Sequence, residues 1–175
     1  MHVKADAEHL QILNDLMDTD ITYKELIERV FPELFANSSP ETLKAMDHSI
    51  SEINGNVIKN DIHPDSGNST NATPNGGLII TSAGSATSKG SGYVMHTSLT
   101  TTSQIVPNIS TCSMLYNSTT GLYVNVEAEE ASFVSANGAS GSITNPVIGN
   151  KYLTYGYHTV IYPAGYVIPS GTYYS

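Results

Sequence analysis

The hydrophobic period of this chain changes near residue 66, and that change divides what it can fold into. Before it, apolar residues recur every three or four positions, the spacing of amphipathic helices; after it they alternate every second position, the spacing of strands. Charge divides at the same place. Thirteen of the 16 acidic residues and five of the seven basic ones come first, so the head carries a net −8 and the rest of the chain −1. The sequence therefore predicts an α+β chain. A helical unit of two to three helices spans residues 1 to 55, a polar linker 56 to 76, and an all-β antiparallel sandwich 77 to 175.

A net charge of −9 repels phosphate backbones, and the two Lys of the β part make no basic stripe, so nucleic acid is excluded as a partner. The longest aliphatic run there, Leu78-Ile79-Ile80, is far short of a membrane span, and no membrane insertion is expected. Cys112 is the single cysteine, which excludes an intrachain disulfide and reads as a small buried hydrophobe on a strand. The opening residues, with Asp6, Glu8, Asp15 and Asp18, are not a secretory signal. Yet the β part solubilises itself with hydroxyls and amides rather than Lys and Glu, which points to an extracellular or cell-surface mature fragment, with the cytoplasm as the alternative.

In the head, Leu10, Leu13 and Leu16 define an amphipathic helix over residues 5 to 17. Thr22 and Glu25 form a capping-box pattern ahead of Leu26, Ile27 and Val30, and Pro32 stops or kinks the chain beyond them. Ser39 and Pro40 start a third helix whose apolar positions Leu43, Met46, Ile50 and Ile53 continue to Asn54-Gly55. Phe31, Leu34 and Phe35 are the expected central plug.

In the β part, Tyr93 to Leu99, Ser110 to Tyr116 and Leu122 to Glu127 read as strands, the last two joined by a hairpin at Asn117 to Gly121. Asn137-Gly138, Ser140-Gly141, Asn145-Pro146 and Gly149-Asn150 read as turns. Tyr152 to Tyr162 is the longest strand, with Gly156 marking a bulge or the close approach of another backbone.

Ten of the 11 tyrosines come after residue 90. Tyr152, Tyr155, Tyr157, Tyr162, Tyr166 and Tyr173 are the candidate binding residues, because flat rings give large contact area at low entropic cost. Glu127, Glu129 and Glu130 are the only carboxylates after Asp65. Glu127 and Glu129, sharing a strand face, could work with His96 or His158 as a metal site or an acid and base pair. Asp61, His63 and Asp65 alternate and could face one side as metal ligands. Of five N-x-Ser/Thr sequons, close to the number chance would place, that at Asn37 is weakened by Pro40, leaving Asn68, Asn71, Asn108 and Asn117 as glycosylation candidates.

No nucleophile elbow, phosphate loop or cofactor motif occurs, and no cofactor is expected. Scarce ionisable groups favour a non-catalytic binding or assembly module whose partner is a protein, a glycan or a second copy. The alternatives are a metal-dependent or acid/base hydrolase built on Glu127, Glu129, His96 and His158, and a secreted β-domain carrying the acidic helices as a leader or inhibitory segment.

Overall fold

The computed structural model describes residues 1 to 53, 59 to 62, 79 to 165 and 170 to 175, with backbone alone for 59 to 62. Among these residues four short helices precede most of a seven-stranded antiparallel sheet, and strands dominate. The helices are α1 (Ala7–Leu16), α2 (Tyr23–Val30), α3 (Pro32–Asn37) and α4 (Pro40–Ala45). Asp6 caps α1 by accepting from the His9 amide, and the capping box of Thr22 and Glu25 opens α2. Pro32 starts α3 rather than ending the helical unit, since a proline at the first position loses no hydrogen bond.

The third predicted helix ends early, at Ala45. Its continuation is diverted to α2: the amides of Tyr23 and Lys24, free at that helix's start, donate to the carbonyls of His48 and Met46, and Ile50 donates to Ile21. Only a single 3₁₀ turn, Ile50–Glu52, remains of the expected helical tail.

The strands are β1 (His2–Lys4), β2 (Lys59–Ile62), β3 (Ile79–Gly90), β4 (Tyr93–Asn117), β5 (Leu122–Thr144), β6 (Tyr152–Ile161) and β7 (Gly171–Tyr174). The first was not expected, and β2 puts regular structure inside the predicted linker. Two separate strand predictions merge into the 25-residue β4. The turns read at Asn137-Gly138 and Ser140-Gly141 are instead interior to β5, where these residues pair with Thr100, Leu99, Thr97 and His96. Gly138 serves close packing there: a Cβ would come 3.1 Å from the Ser98 carbonyl oxygen. The hairpin at Asn117 to Gly121 is present, with Gly121 at φ +76°.

Between Thr101 and Val106 the β4–β5 ladder breaks register, and the two strands double back there. Their outer halves, with β3 and β2, lie on one side of the break; their inner halves pair with β6 and β1. Side chains from the two halves meet face to face, as His96 with Ser113, Ser98 with Ser113 and Thr100 with Thr111. The opposite face of the inner half carries the helices. Leu13, Leu16, Tyr23, Leu26, Ile27, Val30, Phe31, Leu34 and Met46 form one buried cluster with Cys112, Met114, Val126, Ala128 and Tyr157 of the sheet. Phe31 and Leu34 are fully buried as expected, while Phe35 is half-buried at the rim.

Candidate functional site: a tyrosine-lined cleft

Where the helical layer meets the end of the sheet, Asn14 and Asp18 of the head and Tyr116, Tyr123, Tyr155 and Tyr174 of four strands line a cleft of about 340 Å³. Leu122, half-exposed, and Gly121 stand at its mouth. Each tyrosine arrives by register. Tyr116 is the direct cross-strand partner of Tyr123, Tyr155 pairs with Met114, and Tyr174 pairs with Tyr157. A second register shift, between Leu115 and Tyr116, matters most. It inserts Val124 as an extra residue in β5, so Tyr123 joins the helix-facing side with Val126 and Ala128 instead of alternating away from them. Val124 packs on the other face, against the cluster of Val94, Leu115 and Tyr152.

The rings form an unbroken chain from the cleft into the core. Centroids lie 5.0 Å apart for Tyr123 and Tyr116, and 5.9 Å for Tyr116 and Tyr155. They lie 5.7 Å apart for Tyr155 and Tyr174, 5.1 Å for Tyr174 and Tyr157, and 4.6 Å for Tyr157 and Tyr23. Such tilted and stacked pairs lock one another's orientation. Burial, reinforced by Tyr155 and Tyr116, pushes the Tyr123 phenol up to about 12, and burial raises Tyr174 as well, so both hydroxyls stay protonated at neutral pH. The cleft thus offers flat apolar faces, neutral hydroxyls and the Asp18 carboxylate.

Of the six tyrosines singled out from sequence, only Tyr155 lines this cleft, and Tyr157 continues its ring chain inward. Tyr152 lies with Val94 and Leu115, beneath the Lys89 ammonium at 5.7 Å. Tyr162 and Tyr173 share a hydroxyl contact of 3.1 Å in a third cluster. Tyr166 lies outside the described residues. Tyr116, Tyr123 and Tyr174 were missed as site residues; the inserted Val124 that gathers two of them leaves no mark in the alternation of the sequence.

The carboxylates and histidines are placed apart from this cleft. Glu127 and Glu129 do share a partner, but it is His2 of β1, whose Nε2 lies 2.8 Å from Glu127 and whose Nδ1 lies 3.1 Å from Glu129. Glu130 accepts from Ser38 at 2.6 Å and from Asn108 at 3.1 Å, tying the helices to the sheet. His96 and His158 sit between the two halves of the folded sheet. His96 bonds Asn125 at 2.7 Å and Ser113 at 2.8 Å; His158 bonds Ser175 at 2.6 Å and Thr100 at 2.8 Å. Desolvation lowers both imidazoles, His158 to about 4, which leaves them neutral members of a hydroxyl network.

Asp61 falls in β2, where only the backbone is described, and His63 and Asp65 lie outside the described residues, as do Asn68 and Asn71. Among the described residues no three His, Cys, Asp or Glu side chains gather as a metal site would require. Asn108 and Asn117 are buried, the Asn108 side-chain amide donating to Glu130 and Ser132 and the Asn117 side-chain Oδ1 accepting from the backbone amides of Thr119 and Thr120. No protein-family model, no curated protein and no solved structure matches the chain.

Proposed function

We propose that this chain is a non-catalytic binding module of the cell surface or extracellular space, and that its tyrosine-lined cleft takes the ring of a saccharide. The observation that carries the reading is the convergence of Tyr116, Tyr123, Tyr155 and Tyr174 with Asp18 in one cleft of about 340 Å³. A pyranose has apolar C–H faces, which stack on phenol rings, and an edge of hydroxyls, which a carboxylate and phenolic oxygens bind. The Ser- and Thr-rich composition of the β part and its few charged residues support the extracellular placement. The meeting of the two sheet halves through Ser98, Thr100, Thr111 and Ser113 supports a sandwich-like arrangement as the rigid platform behind the cleft.

The chain contains no tryptophan, so intrinsic fluorescence reports the tyrosines directly. Titration with a panel of pyranosides should give a saturable change. Replacing Tyr155 with Ala should weaken binding about tenfold, the worth of one aromatic contact. Replacing Tyr152, which packs with Val94 and Leu115 and does not line the cleft, should not. A panel that gives no saturable response, or one equally weakened by both substitutions, overturns the reading.

A further inference from the structure

Among the described residues, the outer half of β5, Val134 to Thr144, pairs with β4 on one side and with no strand on the other. Exposed edges of this kind are ordinarily blunted by charge or proline. This one has neither: no charged residue occurs from Ala131 to Asn150, and the nearest proline, Pro146, lies beyond the strand. The three most exposed large apolar side chains among the described residues bracket it. Phe133, 76% exposed, immediately precedes the segment, and Val147 and Ile148, 67% and 99% exposed, lie in the loop after it. Phe133 also holds φ 55°, a left-handed conformation costly for a bulky residue.

We propose that the chain forms a two-fold dimer by antiparallel pairing of this edge with the same edge of a second copy. The geometry is self-complementary. A two-fold axis at Ala139 sets Val134 opposite Thr144 of the second copy and carries Phe133 against that copy's Val147 and Ile148 loop, twice in the dimer. Parallel stacking would leave Phe133 without this counterpart. No charged residue occurs between Ala131 and Asn150, so the two edges themselves meet without like-charge repulsion, and the Glu127 carboxylate that lies against Gly141 is held by His2 at 2.8 Å. This inference does not depend on what the tyrosine cleft binds.

The test is the mass of the full chain in solution by sedimentation equilibrium over a concentration series. The wild-type protein is expected at twice its 18.7 kDa chain mass. Phe133→Glu or Ile148→Lys alone should raise the dissociation constant at least tenfold. The double substitution, which sets opposite charges across both contacts, should restore the dimer. Both side chains are exposed in the single chain, so circular dichroism should show each variant folded. A monomeric wild type, singles that stay dimeric, or a double variant no tighter than the singles overturns the proposal.

Discussion

The side chain of Asn14 on α1 bonds both backbone groups of Tyr123 on β5: its Nδ2 donates to the Tyr123 carbonyl at 3.0 Å, and its Oδ1 accepts from the Tyr123 amide at 2.8 Å. One amide thereby does what a neighbouring strand would do for an edge residue, and it fixes the helical head against the strand that carries a cleft tyrosine. Substituting Asn14 with Ala leaves both backbone groups short of a partner. The expected loss of stability is about 1 to 3 kcal/mol by chemical denaturation. A weakening of saccharide binding should accompany it, since the cleft loses one wall. A variant as stable as wild type would mean that the docking rests on apolar contact alone.

Tyr23 predicts the opposite sign. Its ring is fully buried and stacked on Tyr157, but among the described residues its hydroxyl meets nothing better than the weakly bonding Cys112 thiol and is otherwise unsatisfied. Tyr23→Phe keeps the stack and removes an unsatisfied polar group. Stability should be unchanged or higher by up to about 1 kcal/mol. A clear loss on denaturation would show that the hydroxyl has a partner in solution.

Acid should destabilise the fold through His158. Burial lowers its folded-state value to about 4 from the ordinary 6.5, so the unfolded chain binds this proton more tightly than the folded one. Stability from this group is therefore complete above pH 6.5 and is lost progressively as the pH falls towards 4, by roughly 3 kcal/mol in all. His96, lowered by the same cause, adds in the same direction. Replacing His158 with Gln should lower stability at neutral pH and flatten its decline between pH 6.5 and 4, measured by denaturation at a series of pH values. An unchanged slope would place the acid sensitivity elsewhere.

Gly156 sits where the two halves of the sheet press together. A Cβ there would come within 2.6 Å of the Ser85 and Ser98 hydroxyls and 2.8 Å of the His158 Nε2. Gly156→Ala should cost about 1 to 3 kcal/mol and disturb the hydroxyl network, visible in the His158 imidazole resonances. An alanine tolerated without loss would imply a looser seam between the halves.

These positions also show how far the sequence could be read. Caps were legible because they depend on residues close in the chain: Thr22 with Glu25, and Ser39 with Pro40, each start a helix in the structure. The early end of α4 was not, because it depends on backbone bonds to Tyr23 and Lys24, a distant segment. Glycine in β5 was read as turn, since its φ freedom suggests one; Gly138 instead lets β5 lie close against Ser98 and Leu99 of its paired strand, and Gly141 lets the folded sheet close on Asn125 and Glu127. Gly156 was read more nearly, and the close approach it permits is by side chains of the facing half; its ladder with β4 runs without a bulge. The tyrosine cleft was half visible. Composition identified the residue type, but the selection of Tyr116, Tyr123, Tyr155 and Tyr174 from ten candidates is made by strand register and one inserted residue.

The most direct test of a ligand-binding cleft at this junction is a residue-resolved NMR titration of the full chain with the pyranoside that gives the strongest fluorescence response. The amides of Asn14, Asp18, Gly121, Leu122 and Tyr155 should shift together and saturate at one dissociation constant, while those of Tyr152 and of the 145 to 150 loop stay in place. Shifts centred on that loop, or scattered without saturation, would contradict the account.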